Sequence, residues 1–185
     1  MPELSVLLEG LGQWDYEEAH KQISLLGEAE NVTRSQLLEL LDRLPIIIER
    51  YSSRWELKIG KELFDGNRAE TLIWTLGESF RRILKRKKAL RSSTEFWSRI
   101  EAVGSDPRFG KGRESFTMLL GQYGGRGRVP TLLRLLDDPQ VQGHALYSLR
   151  LLRAAEARAR AEELLASPKA WVRAEARKYL RKCVK

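Results

Sequence analysis

The densest group of charged side chains in the sequence lies in the stretch FRRILKRKKALR at residues 80–91. Its cations are Arg81, Arg82, Lys85, Arg86, Lys87, Lys88 and Arg91. Phe80, Ile83, Leu84 and Leu90 form the apolar side of an amphipathic helix, so most of the cations should face water. A few cations complement the negative end of a helix dipole, but so many close together repel one another. We therefore predict that this segment contacts an anionic partner through Arg81, Arg82, Lys85, Arg86 and Lys88.

Residues for catalysis or metal binding are few. The histidines His20 and His144 lie 124 residues apart, and we interpret each as a packing or surface residue. A zinc site needs three or four His, Cys or carboxylate ligands at recognisable spacing, whereas the chain has one cysteine, Cys183. The glycine-rich stretch GQYGGRGRVP at 121–130 follows a predicted helix and leads into Val-Pro, unlike a phosphate-binding loop. We expect no enzyme, no cofactor and no metal.

Composition and charge narrow the class of protein. The chain has 185 residues, of which 42% are apolar and 31% charged, as in a folded globular protein. One cysteine excludes an internal disulfide, and no stretch has the pattern of a signal peptide or a membrane span, so we expect a cytoplasmic protein. The net charge of +8 is uneven: residues 1–60 carry −5 and residues 61–185 carry +13. Such asymmetry indicates a basic surface that attracts an anionic partner.

Two stretches of similar pattern, at 137–149 and 166–180, indicate how the chain is organised. In each, an acceptor side chain precedes a proline, which is typical of a helix cap followed by the first helical residue. These pairs are Asp138 with Pro139 and Ser167 with Pro168. The apolar stripes that follow are Val141, Ala145, Leu149 and Leu152 in the first copy, and Val172, Ala176, Leu180 and Cys183 in the second.

A weaker third copy at Asp106 and Pro107 makes the pattern periodic. The prolines at 107, 139 and 168 are 32 and 29 residues apart, with two amphipathic helices in each unit. This period predicts an all-α fold, an α-solenoid of stacked antiparallel helical hairpins with no β-sheet. We expect a divergent helical part over 1–92 that stacks on repeats over 93–185, with units at about 93–124, 129–153 and 155–183.

The stretches LLRLLDDPQVQGHALYSLRLL and AEELLASPKAWVRAEARKYLRKC resemble HEAT repeats of the short bacterial type. In that family the second helix opens with Val-Arg and carries Ala and Leu four and eight residues after the valine. Val172, Arg173, Ala176 and Leu180 match this pattern, and the first copy matches with Gln142 in place of the arginine. The resemblance is good over 129–183 and fair over 93–128, where Phe109 replaces the valine. It implies that Arg173 bonds carbonyl or carboxylate groups between repeats.

The resemblance also implies a function, because HEAT-like arrays most often hold another protein. We expect a non-catalytic scaffold, adaptor or inhibitor whose basic surface binds an acidic protein. Its contacts would be the 80–91 cations together with Arg177, Lys178, Arg181 and Lys182 of the last helix. Nucleic-acid binding through phosphate contacts is the alternative, favoured by the isoelectric point near 9.8. Neither a membrane nor a small-molecule ligand is expected.

A HEAT-like enzyme is the third hypothesis, and the tryptophans bear on it. HEAT-like alkylpurine DNA glycosylases use tryptophans with an aspartate and an arginine. No tryptophan here has an aspartate four residues on, so that activity is not carried over. We expect Trp74 and Trp97 in the core, and Trp171 either sealing the end of the array or anchoring a partner.

Overall fold

The computed structural model describes the backbone of residues 4–59 and 62–183. Side chains are described for residues 6–56 and 66–183. The first half contains α1 (Leu4–Gly10), α2 (Tyr16–Leu26), α3 (Arg34–Asp42), α4 (Leu44–Tyr51), β1 (Arg54–Ile59), β2 (Glu62–Asn67) and α5 (Arg68–Arg86). The second half contains α6 (Thr94–Ser105), α7 (Glu114–Tyr123), α8 (Val129–Leu135), α9 (Gln142–Leu151), α10 (Arg158–Glu163) and α11 (Ala170–Cys183). Short 3₁₀ segments lie between them, at Lys88–Ser92, Pro107–Arg113, Arg126–Arg128, Ala155–Ala157 and Leu164–Ala166.

The helices stack in two layers, as an all-α solenoid of helical hairpins requires. In one layer α2, α5, α7, α9 and α11 pack side by side in that order, and in the other α3, α6 and α8 do so. The hairpins α6–α7, α8–α9 and α10–α11 join the two layers. The helices α1 to α5 continue the same stack rather than interrupting it, because α5 contacts both α2 and α7.

A β-hairpin interrupts the helices, so the prediction of no β-sheet is wrong. Strands β1 and β2 pair antiparallel, from Arg54 opposite Asn67 to Ile59 opposite Glu62. The sequence does carry the signal, because apolar and polar residues alternate strictly from Trp55 to Ile59, and a glycine follows directly. The expectation of a helical part over 1–92 therefore fails at this stretch, where the apolar residues follow a period of two and not the helical spacing.

Small residues allow α5, α7 and α9, which are neighbours in one layer, to approach closely. Gly77 of α5 lies against Ser115 of α7, and a side chain at Gly77 would overlap that serine. Gly121 of α7 lies in the same way against Ser148 of α9. The buried Ser148 hydroxyl donates to the Thr117 carbonyl at 2.9 Å. Close backbone approach and satisfied buried hydroxyls therefore hold successive hairpins in one register.

Two of the three acceptor–proline pairs form turns rather than helix caps, which corrects the predicted role of Pro139 and Pro168. Asp106, in contrast, caps the 3₁₀ segment that begins at Pro107, as predicted. The Asp106, Asp138 and Ser167 side chains each accept a hydrogen bond from the N–H two residues on, at 3.0, 2.9 and 3.3 Å respectively. Each turn thus closes across its proline. The helices begin only after it, α9 at Gln142 and α11 at Ala170, so neither proline is the first helical residue.

The apolar stripes mostly lie where the periodicity places them. Val141, Ala145 and Leu149 are buried on α9, and Val172 and Ala176 are buried on α11. Leu180, expected between the last two hairpins, is only half-buried at the edge of the core. Tyr179 is fully buried instead, because its hydroxyl reaches the buried Ala154 carbonyl on the neighbouring hairpin.

Arg173 lies beside this stripe and is half-buried. Its Nη1 donates to the carbonyls of Ser167 at 2.6 Å and Pro168 at 2.9 Å. The arginine therefore bonds carbonyl groups, as the resemblance implies, but those of its own turn rather than those of a neighbouring repeat.

Candidate functional site

The cations of residues 80–91 divide into two groups. Arg82 Nη2 donates to the Ser24 carbonyl at 2.7 Å, and Arg86 Nη2 donates to the Gly27 carbonyl at 2.6 Å. The last carbonyls of a helix have no partner within the helix, so these two guanidiniums cap the C-terminal end of α2. They bind that helix within the fold, while keeping part of their surface in solvent.

The remaining predicted contacts of this segment differ in the same way. Arg81 pairs with Glu78 on its own helix at 2.7 Å. Arg91, outside the predicted set, donates to the Leu84 carbonyl at 2.5 Å and lies 4.2 Å above the ring centre of Tyr123. Lys85 and Lys88 are exposed, and their ammonium groups have no partner within the described residues. They are therefore the cations of this segment that are most available to a partner.

The last helix presents a second basic surface. Arg177, Lys178, Arg181 and Lys182 are all exposed on α11. Within the described residues, only Lys178 of these four has an ion pair, at 3.5 Å from Glu175. Arg177, Lys178 and Arg181 line an open groove of about 460 Å³ with Leu165, Ala174 and Leu180. We call this the α11 groove; its apolar floor and cationic rim suit an amphipathic acidic segment.

A third group of side chains is brought together by the fold and was missed in the sequence. The first turns of α5, α7, α9 and α11 lie in neighbouring positions of one layer, and they carry Glu70, Glu114, His144 and Trp171. His144 Nε2 lies 3.9 Å from Glu114 Oε2, and its ring centre lies 4.8 Å from that of Trp171. The period that locates the proline turns also places Glu114, His144 and Trp171 in equivalent first turns, which is the signal that could have found them.

This row of first turns continues into a cavity of about 200 Å³ beside the β-hairpin. The cavity is lined by Trp55, Gly66, Asn67, Glu70, Thr71, Trp74, Lys111 and Glu114. Trp74 is 42% exposed, which corrects its expected place in the core, whereas Trp97 is buried as expected. Ile73 and Leu76, its neighbours on α5, take the buried positions and leave Trp74 on the outer side. We call this the tryptophan cavity.

Burial shifts two ionisable groups of the row in opposite directions. Loss of solvent raises the pKa of Glu114 to about 7, against the lowering effect of Lys111 and Lys169. Loss of solvent lowers the pKa of His144 to about 4, with a further contribution from Lys169. Between these two values both groups are predominantly neutral, so their 3.9 Å approach is not an ion pair.

Within residues 4–59 and 62–183, no three His, Cys, Asp or Glu side chains come together as ligands of a metal ion. In the same residues, no helix has the length and apolar character needed to cross a membrane.

Comparison with known proteins defines the class no further than the fold does. No family model matches the chain, and no curated protein is significantly similar to it. An engineered protein of known structure is 14% identical, with 99% of this chain and 97% of that chain covered and a TM-score of 0.38. A designed armadillo repeat protein is also 14% identical, with 98% and 100% covered and a TM-score of 0.35. Both scores are too low to support an argument, so the packing of the helices alone defines the chain as a solenoid of helical hairpins.

Proposed function

We propose that this protein is a non-catalytic binding scaffold that holds an acidic protein in the α11 groove. The main support for this proposal is that Arg177 and Arg181 line the edge of an apolar groove and have no partner within the described residues. A bound carboxylate would meet guanidiniums whose interactions with other side chains need not first be broken.

The apolar floor favours a protein segment over a nucleic acid. Leu165 is 38% exposed and lies at the groove with Leu180, which offers a surface for the apolar face of a helix. An amphipathic helix with leucines on one side and carboxylates beside them satisfies both the floor and the rim. A nucleic-acid backbone would use the cations and leave the leucines uncovered.

The test uses a synthetic amphipathic helical peptide with leucines on one face and glutamates flanking them. We expect it to bind the chain in fluorescence anisotropy, and we expect its Glu-to-Gln counterpart to bind at least about tenfold more weakly. The reversal Arg177→Glu with Arg181→Glu should abolish binding of the acidic peptide. The matched control, Lys85→Glu with Lys88→Glu, changes the net charge equally and should leave peptide binding within about twofold.

Equal loss of peptide binding in the two double variants would refute the α11 groove as the site, because general charge attraction would then suffice. A duplex DNA probe tests the alternative function. DNA that binds more tightly than the peptide, with a log–log salt slope near about −0.9 per phosphate neutralised, would replace the proposal with nucleic-acid binding.

A further inference from the structure

The tryptophan cavity shares no lining residue with the α11 groove. It is lined by the N-terminal part of α5, the 3₁₀ segment Pro107–Arg113, the start of α7 and the β-hairpin. The glycine at 66 makes room in it, because a side chain at Gly66 would overlap the indole of Trp55. Trp55 and Trp74 thereby line the same cavity from the hairpin and from α5.

The polar groups of the cavity fall into those that are already bonded and those that are not. The Asn67 side chain donates to the Ser52 carbonyl at 3.1 Å and accepts from the Glu70 N–H at 3.2 Å. Thr71 donates to the Asn67 carbonyl at 3.1 Å. The carboxylate of Glu70, in contrast, has no hydrogen bond or ion pair within the described residues. Glu114 likewise has no hydrogen bond from its carboxyl group within the described residues; the side chain of His144, neutral near pH 7, lies 3.9 Å away.

Two indoles and two carboxyl groups are thus the groups left for a ligand. Indole rings attract cations through the negative faces of their π-systems, most strongly when the cation is poorly hydrated. Carboxylates attract cations of any kind, but a small ammonium keeps its water, whereas an alkylated ammonium loses it readily to an aromatic surface. Lys111 is the opposing charge at the cavity, one ammonium against two carboxyl groups.

We propose that the tryptophan cavity binds an alkylated ammonium group, between the indoles of Trp55 and Trp74 and beside the Glu70 and Glu114 carboxylates. Such a group occurs on a methylated lysine of a partner protein and in free quaternary ammonium compounds. This proposal departs from the expectation of no small-molecule ligand, and it does not depend on the proposed function of the α11 groove.

Binding is coupled to a proton at Glu114. A cation favours the ionised carboxylate, so binding lowers the pKa of Glu114 and releases a proton when the free protein holds one. Charged and titratable groups act on Glu114 from every element around it, namely Glu70 on α5, Lys111 and Arg113 on the 3₁₀ segment, His144 on α9 and Lys169 before α11. Because Glu114 ionises around pH 7 in the free protein, affinity for the cation should rise as the pH rises through that value.

The first experiment compares choline with its neutral isostere 3,3-dimethylbutan-1-ol by calorimetric titration of the full chain. We expect choline to bind at least about tenfold more tightly, because only its charge differs. Equal binding of the two compounds would overturn the proposal, since the cavity would then select for apolar shape alone. Absence of binding by both choline and a trimethyl-lysine peptide up to about 10 mM would also overturn it.

Variants locate the site and fix the sign of its charge. Trp74→Ala should weaken choline binding at least about tenfold, whereas Leu151→Ala shortens an equally exposed apolar side chain outside the cavity and should leave choline binding unchanged. Glu70→Gln should weaken binding. At about pH 8.5, where Glu114 is ionised, Lys111→Gln should strengthen binding by removing a like charge. Weaker choline binding after Lys111→Gln would show that the cavity does not select cations. Unchanged melting temperatures of these variants would confirm that the losses are local.

The two sources of the ligand are distinguished with a peptide. Tighter binding of a trimethyl-lysine peptide than of choline, with loss on conversion to unmodified lysine, assigns the cavity to a modified protein partner. Choline binding that equals or exceeds that of the peptide assigns it to a free quaternary ammonium compound. Either result supports the chemistry proposed for the cavity.

Discussion

Arginine side chains occur in two different surroundings in this molecule. Some are buried between neighbouring hairpins, and others are exposed on the outer side of α11. Arg113 is 1% exposed, and its guanidinium bonds Asp138 Oδ2 at 2.5 Å and Gln140 Oε1 at 2.9 Å on the next unit. Arg177 and Arg181, on α11, are exposed and have no partner within the described residues. Arg113 therefore links two units of the solenoid, whereas Arg177 and Arg181 are available to bind a partner molecule.

The difference lies in the acceptors nearby and not in the arginines themselves. Arg150 of α9 donates to the buried carboxylate of Glu175, which lies on the neighbouring helix α11. Arg173 and Arg177 are separated by one turn of α11, yet Arg173 faces two turn carbonyls and Arg177 faces solvent. A basic stretch of sequence therefore predicts a binding surface only for those cations that have no acceptor within the fold.

The strongest test of this comparison is Arg113→Met. Removing the guanidinium strands the Asp138 carboxylate beside a buried apolar chain and breaks the bond to the Gly110 carbonyl, which Nε makes at 3.1 Å. We expect a loss of about 3–5 kcal/mol in the free energy of unfolding, measured by urea denaturation. The matched control Arg177→Met should cost less than about 0.5 kcal/mol. Similar small losses in both variants would erase the distinction between the two kinds of arginine.

The pH dependence of stability tests the same comparison at Glu114 and His144, which also lie between hairpins. Glu114 has its pKa raised from 4.5 to about 7, so its stabilising effect is complete below pH 4.5 and is lost as the pH rises through 7. His144 has its pKa lowered from 6.5 to about 4, so its effect is complete above pH 6.5 and is lost as the pH falls through 4. The two effects oppose each other, and together they should give nearly constant stability between pH 4.5 and 6.5.

Single substitutions should uncover the two slopes. In Glu114→Gln only the histidine effect remains, so the free energy of unfolding should rise by about 2 kcal/mol from pH 4.5 to 6.5. In His144→Phe only the carboxyl effect remains, so the free energy should fall by about the same amount as the pH rises over that range. Urea denaturation at several pH values measures both. Parallel slopes in the two variants would mean that the groups are not shifted in opposite directions.

The sequence predicts the architecture better than it predicts the sites. Periodicity finds the units because a hairpin that must bury two flanks repeats its apolar residues, as Val141 and Val172 show. It misplaces local detail where one side chain has a particular acceptor. Tyr179 replaces Leu180 in the core for this reason, and Asp138 closes a turn for this reason instead of capping a helix.

The sites depend on neighbours that are distant in the sequence. Trp55, Trp74 and Glu114 come from three separate elements, and their meeting follows from how α5 packs on α7 and the hairpin. The basic segment shows the same limit, because the carbonyls that accept from Arg82 and Arg86 lie 58 and 59 residues earlier in the chain. The number of cations in a stretch of sequence does not reveal such acceptors. They become visible only when the structure places the end of α2 beside α5.

The smallest expected effects compare arginine with lysine inside residues 80–91. Arg82→Ala and Arg86→Ala should each cost about 1–2 kcal/mol of unfolding free energy, because each removes a part-buried hydrogen bond to a carbonyl at the end of α2. Lys85→Ala and Lys88→Ala should each cost less than about 0.5 kcal/mol, because neither ammonium has a partner within the described residues. Thermal or urea denaturation of the four variants measures the contrast.

The same measurement at about 0.5 M salt separates hydrogen bonds from surface charge effects. Salt at this concentration screens exposed charges but leaves part-buried hydrogen bonds largely intact, so the stability losses of the arginine variants should persist. Arginine losses that vanish in salt would place Arg82 and Arg86 with the free cations of α11, and the segment would again be a binding surface along its whole length.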